Sequence, residues 1–143
     1  MSGGDLLTHL YNARRFPEAQ VKFYIAQVAI ALGFLHSKHV IHRDIKPDNI
    51  LLGEDGYIKL ADFGISRNMG YDKELDNEIA GVYDSLPYEL LKGGKYGKPV
   101  DWWALGILTF ELLVGFSPFH LETMEPEDDK NFLEQIKLIE KGI

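Results

Sequence analysis

Cysteine is absent from all 143 residues, which excludes a disulfide framework, a thiol nucleophile and any zinc site built on thiolates. Basic residues are in deficit: 15 Lys and Arg stand against 22 Asp and Glu, for a net charge of −7. That balance disfavours nucleic acid as a partner, because phosphate binding needs a basic face, and it suits a basic peptide. Long hydrophobic runs are also missing. The most apolar stretch, 100–116, contains Asp101 and Glu111 and is too short to cross a bilayer comfortably, so no membrane segment is expected. The opening MSGGDLLTHL has no basic n-region and no sustained apolar core, so it does not read as a secretory signal. The cytoplasm, or the nucleus, is the default compartment.

What is present is an ordinary globular composition, 45% hydrophobic and 26% charged, on a chain long enough for one compact domain. No internal repeat or Ser/Pro-rich linker divides it. Residues 5–15 suit a short helix, and Pro17 stands where a new one would begin. Val21, Ile25, Val28, Leu32 and Leu35 then recur at alternating spacings of four and three, the stripe of an amphipathic helix. Ile50-Leu51-Leu52 and Tyr57-Ile58-Lys59-Leu60 flank Gly53-Glu54-Asp55-Gly56, which predicts two short strands around a turn. Residues 64–88 have no period and read as a long loop, which in compact domains is usually functional. A short helix is expected from Glu89 to Lys92, ending at Gly93-Gly94. Pro99 precedes an apolar segment over 101–115, expected to be a central helix because it is apolar nearly all round. The acidic stretch 122–130 is expected at the surface. Phe132, Ile136 and Ile139 suggest a last amphipathic helix.

The chemistry is concentrated in His42-Arg43-Asp44-Ile45-Lys46-Pro47-Asp48-Asn49, between the long helix and the hairpin. Asp62-Phe63-Gly64 follows, with Asp62 eighteen residues after Asp44. Singly, Asp44, Asp48 and Asp62 read as turn residues or helix caps, and Arg43 as a surface ion pair. Together, in this order and context, they resemble the catalytic loop and metal-binding motif of eukaryotic-type Ser/Thr protein kinases. Tyr96-Gly97-Lys98-Pro99-Val100-Asp101-Trp102-Trp103-Ala104-Leu105-Gly106 looks like the central helix of the AGC group, which includes cAMP-dependent kinase and protein kinase C. Gly3-Gly4-Asp5-Leu6 resembles the start of the helix after the kinase hinge. The resemblance covers essentially the whole chain and about half of a kinase domain.

That resemblance implies an α+β fold, mostly α: the large C-terminal lobe of a kinase, with a short β-hairpin carrying the catalytic and metal loops. Residues 1–143 would form a partial kinase domain. The implied reaction moves the γ-phosphoryl group of Mg-ATP to a protein Ser or Thr hydroxyl, which is mostly positioning and charge neutralisation. Asp44 would aim the attacking hydroxyl, and Lys46 would steady the γ-phosphate. Asn49 and Asp62 would hold Mg2+, a hard cation that binds few protein oxygens. Leu51 would lie under the adenine, and Asp5 would reach the ATP ribose. Phe63 and His42 match positions in the family's internal hydrophobic spine, and Asp101 matches the residue that braces the catalytic loop. His36, His39 and His42 repeat every three residues, but Val40-Ile41 argues against a continuing helix that would align them as a zinc site.

Three departures from the family pattern stand out. The small lobe is absent from the sequence, so a partner chain or missing lobe would have to supply the Gly-rich loop and the strand lysine, and ATP would bind poorly without them. Glu89 matches the glutamate of the Ala-Pro-Glu signature, whose arginine partner is also absent; burial would leave it uncompensated. Gly81-Val82-Tyr83-Asp84-Ser85-Leu86-Pro87-Tyr88-Glu89 departs from the usual activation segment. Without gaps, Val82 replaces the threonine that touches the catalytic loop. With a gap, Ser85 replaces it. In the ungapped alignment Glu78 falls where the activating phosphothreonine sits, and it reads either as a weaker substitute pairing with Arg43 or as a solvated charge among Asp72, Glu74 and Asp76. A non-catalytic, pseudokinase-like binding module and a truncated piece without independent activity are the alternative readings.

Overall fold

The computed structural model describes residues 3–70, 86–119 and 137–141. Glu78, Val82, Ser85, Phe132, Ile136 and the acidic stretch 122–130 lie outside the described residues, so the expectations placed on them are not taken further.

Helix α1 spans Leu6–Ala13 and starts at Asp5, whose carboxylate accepts the Thr8 N–H at 2.7 Å. Such a cap satisfies one of the orphan donors of a first turn and is worth about 1 kcal/mol. The predicted helix 5–15 is therefore shorter at both ends: Asp5 caps it and Arg14 leaves it at φ 66°. Helix α2 spans Glu18–Ser37 and buries Val21, Tyr24, Val28, Leu32 and His36. Ile25 and Leu35, predicted on the buried stripe, are partly buried beside it. Tyr24 and His36 take inner places because each has a polar tip with a partner, Gln20 and Asp101 respectively. Phe23, Ile30 and Phe34 are exposed on the outer side of α2. Among the described residues α2, not 100–116, is the helix long and apolar enough to cross a membrane by length and composition.

Strand β1 (Val40–Ile41) is followed by a 3-10 turn at Pro47–Asn49, then by β2 (Ile50–Leu52) and β3 (Ile58–Leu60). β2 and β3 form the predicted hairpin, in the register Ile50↔Leu60, Leu51↔Lys59 and Leu52↔Ile58. Strand alternation turns Ile50, Leu52, Ile58 and Leu60 into the core and leaves Leu51 and Lys59 on the other face. Residues 4 and 5 extend this sheet: Leu52 N–H donates to the Gly4 carbonyl at 2.8 Å, and Asp5 bridges to Leu51. Glycine is required at position 3, where a Cβ would collide with the Leu52 carbonyl. Strand β4 (Arg67–Asn68) pairs antiparallel with β1. This second ribbon lies partly inside the stretch expected to be an unstructured loop.

Helix α3 spans Tyr88–Leu91, close to the expected short helix, and the chain turns away through Gly93 at φ 75°. Helix α4 spans Pro99–Val114, opens with proline at its first position and buries seven side chains from Val100 to Leu112. It ends on Gly115 at φ 104°, which lies so close to the Arg14 carbonyl that any Cβ would overlap it. Phe16 N–H donates to the Leu112 carbonyl at 2.8 Å, which joins the ends of α1 and α4. The main core gathers α1, α2, the hairpin and α4 around Val28, Leu32, Ile50, Leu108 and Leu112. A second cluster, with Ile41, Met69, Leu90, Leu91, Tyr96 and Val100, holds the β1–β4 ribbon against α3 and the start of α4. Residues 137–141 are helical and rest Ile139 on this cluster. The fold is mixed helix and strand with small sheets, as expected.

Candidate active site

The loop from His42 to Asn49 crosses between the two core clusters, and Asp101 fixes its start. Asp101 is fully buried in the first turn of α4. Its carboxylate accepts the backbone N–H of His42 at 2.9 Å, that of Arg43 at 2.8 Å and His36 Nε2 at 2.7 Å. A buried carboxylate is tolerable only with such donors around it. The two backbone bonds also hold Arg43 at φ 68°, a left-handed conformation that costs a non-glycine residue about 1–2 kcal/mol.

His42 is wholly buried, and its Nε2 lies 3.1 Å from the Ala61 carbonyl, so this nitrogen carries the proton. Nδ1 accepts the Asp44 N–H at 3.3 Å. Burial holds the imidazole below its ordinary pKa, against the opposing pull of Asp101, the Ala61 carbonyl, Asp44 and Asp62. The neutral ring packs on Phe63 with centroids 4.8 Å apart, which brings together the two residues matched to the spine. Phe63 remains about half exposed.

Beyond Arg43 the chain is extended. Ile45 points into the core and Lys46 sits at φ −156°. Alternation therefore sends Asp44 and Lys46 to the same outer side, where Lys46 Nζ lies 3.2 Å from Asp44 Oδ2. Asn49 closes the 3-10 turn and donates from Nδ2 to both Asp44 Oδ2 at 2.7 Å and the Asp44 carbonyl at 2.8 Å. Two acceptors on one nitrogen fix the amide orientation, leaving Asn49 Oδ1 as the oxygen turned away from Asp44. Asp44, Lys46 and Asn49 thus form one cluster with two donors on a single carboxylate.

Asp62 enters from the other side of the hairpin. Ala61 N–H donates to the Asn49 carbonyl at 2.8 Å, extending the β2–β3 ladder by one step. Asn49 and Asp62 therefore flank the open end of the hairpin. Asp62 is exposed, has φ 56°, and its Oδ1 accepts the Gly64 N–H at 3.0 Å. Asn49 Oδ1 and the second Asp62 oxygen are hard donors suited to magnesium, which takes most of its ligands from phosphates and water. Among the described residues no group of three or more His, Asp or Glu side chains could hold a metal. His36 and His42 each spend Nε2 on a partner within the protein.

Leu51 is half-buried on the face of the hairpin opposite the core. Asp5 neighbours it through the short bridge, but its oxygens are already engaged by Thr8, at 2.7 Å from N and 3.1 Å from Oγ1. These bonds hold the Asp5 carboxyl below its ordinary value. Leu51, Asp5, Asn49 and Asp62 are thus all carried by the hairpin or its immediate neighbours. Glu89 is exposed, so the burial penalty foreseen for it does not arise.

Two residues of the site escaped the sequence reading. His36 appears there only in a histidine spacing that does not make a zinc site, yet it completes the Asp101 cluster. Tyr96 appears only as part of a family segment, yet its hydroxyl lies 2.9 Å from Arg43 and its ring lies under the guanidinium. Both partners are more than 50 residues away in sequence, and no local pattern signals them.

A family model described as "Protein kinase domain" matches residues 1–142. "Protein kinase C zeta type" of Oryctolagus cuniculus is 41% identical over 144 residues, covering 100% of this chain and 24% of the relative. "Atypical protein kinase C" of Drosophila melanogaster is 42% identical, with 99% and 24% covered. "Protein kinase C-like 1" of Caenorhabditis elegans is 43% identical over 123 residues, covering 85% of this chain. The chain spans about a quarter or less of the length of these relatives.

Proposed function

The chain belongs to the protein kinase domain family, and from that premise we propose that it is the catalytic-loop half, the large lobe, of an ATP-dependent Ser/Thr protein kinase of the AGC type. Residues 1–143 form that partial domain. The observation that carries this reading is the convergence on Asp44: Lys46 and Asn49 both reach Oδ2, with Asp62 brought alongside by the hairpin.

Each side chain has a task in phosphoryl transfer. Asp44 accepts the hydrogen bond of a substrate Ser or Thr hydroxyl and aims its oxygen at the γ-phosphorus. Asn49 donates one bond to the Asp44 carboxylate and one to the Asp44 backbone carbonyl, which holds that side chain against its own main chain so that the aim is set before substrate arrives. Lys46 lies close enough to Asp44 to follow charge onto the transferred group. Asn49 Oδ1 and Asp62 would hold Mg2+, which supplies charge neutralisation on the phosphates. Leu51 offers the adenine an apolar floor, and Asp5 stands where a ribose hydroxyl could share its carboxylate. ATP, a protein substrate and a small lobe, from the same protein or a partner chain, complete this reading.

Calorimetry of Mg-ATP with the purified chain tests it. Millimolar, magnesium-dependent binding that Asp62→Asn abolishes supports the reading. A folded chain whose nucleotide binding ignores both magnesium and Asp62 contradicts it.

A further inference from the structure

Among the described residues, three separate parts of the fold hold Arg43. Its backbone N–H is held by Asp101, its Nε donates to the Ile65 carbonyl at 2.6 Å, and one Nη donates to the Tyr96 hydroxyl at 2.9 Å. The guanidinium carbon also lies 5.6 Å from the centre of the Tyr96 ring. Tyr96 is only 2% exposed and packs with Ile41, Met69 and Val100, so its own place is fixed. Ile65 is the residue after Asp62-Phe63-Gly64. The Nε bond therefore ties the Asp62 loop to the loop that carries Asp44, and Tyr96 touches the same guanidinium.

We propose that Tyr96 is a positioning residue for the Asp62 loop, acting through the Arg43 guanidinium. A guanidinium is a planar fork, and orienting one nitrogen orients the rest. The Tyr96 hydroxyl and ring face set the plane from below, so that Nε meets the Ile65 carbonyl. Tyr96 and Asp101, five residues apart at the entry to α4, thus hold the side chain and the backbone of the same arginine. The left-handed backbone at Arg43 makes this double hold necessary, because the turn alone does not fix where the side chain leads. That the Asp62 loop serves magnesium rests on the kinase reading; the coupling of Tyr96 to that loop does not.

The test is hydrogen exchange on the 143-residue chain by NMR, reading the Arg43 Nε–H and the Ser66 backbone amide, which donates to Phe63. In the parent both are protected. Tyr96→Phe keeps the ring and removes the hydroxyl. It is expected to speed both by about tenfold, the order set by losing one hydrogen bond to a charged group. The His42 and Arg43 backbone amides, which Asp101 holds, stay unchanged. Arg43→Lys, which keeps the charge and loses the fork, reproduces the faster Ser66 exchange. An unchanged Arg43 Nε–H in Tyr96→Phe overturns the proposal, as does an unprotected one in the parent. Uniformly faster exchange across α4 and the catalytic loop also overturns it, since that marks general packing. No catalytic readout enters, so this result and that of Mg-ATP binding stand apart.

Discussion

The Asp101 carboxylate, buried in the first turn of α4, accepts the backbone N–H of Arg43 at 2.8 Å and thereby holds the 42–49 loop on the central helix. The same carboxylate takes His42 N–H and His36 Nε2, so one side chain joins α2, α4 and the loop. Asp101→Ala would leave these donors buried and unmet. We expect a loss of about 3–5 kcal/mol, the scale for breaking a buried charged pair, measured as a shift in the urea midpoint.

The Asn49–Asp44 contact gives a second, sharper expectation. Asn49→Asp sets two carboxylates against each other where an amide now donates at 2.7 Å. Stability at pH 7 should fall by about 1–3 kcal/mol and recover in part as pH drops and one carboxyl takes up a proton. Asn49→Ala should lose stability without that recovery. Urea titrations at pH 7 and pH 5 distinguish the two.

The pH dependence of His42 follows from its burial. Its folded-state pKa is lowered relative to the unfolded chain, so in the window between the two values the unfolded state binds more protons. Its contribution to stability is therefore present above an unfolded pKa of about 6.5 and is lost as pH falls through the lowered folded value. His42→Gln should weaken the fold at pH 7 yet flatten the loss between pH 7 and pH 5. A slope equal to that of the parent would contradict this assignment.

Gly115 marks where α1 and α4 meet. Gly115→Ala places a Cβ against the Arg14 carbonyl and forces a non-glycine residue to φ 104°. A loss of about 2 kcal/mol or more is expected, whereas Gly33→Ala, inside α2 with nothing within 4 Å of the added carbon, should gain about 0.5–1 kcal/mol. Thermal melts of the two variants provide the comparison.

How much of this was legible in the sequence depended on the range of the interaction. The β2–β3 hairpin was legible because both strands and their Gly-bounded turn lie within eleven residues, 50–60. α4 was legible from its continuous apolarity, and Asp44, Lys46, Asn49 and Asp62 from a motif whose order is itself local. The β1–β4 ribbon was not, because Val40 and Asn68 pair across the whole hairpin and are only two-residue strands. Tyr24 and His36 were missed as core residues because their burial depends on Gln20 and Asp101 satisfying their polar ends. Tyr96 was missed as a partner of Arg43 because side-chain geometry, not composition, brings them together. Asp5 was singled out for a ribose, and its most immediate role is to cap α1.

The kinase reading is tested by replacing the corresponding segment of the Drosophila atypical protein kinase C with this chain and measuring phosphoryl transfer from ATP to a Ser peptide. Magnesium-dependent transfer is expected in the chimaera, reduced by at least about a hundredfold in Asp44→Asn, in line with losing a positioned acid–base group. A folded chimaera that binds Mg-ATP but transfers nothing, or whose transfer is indifferent to Asp44, would contradict it.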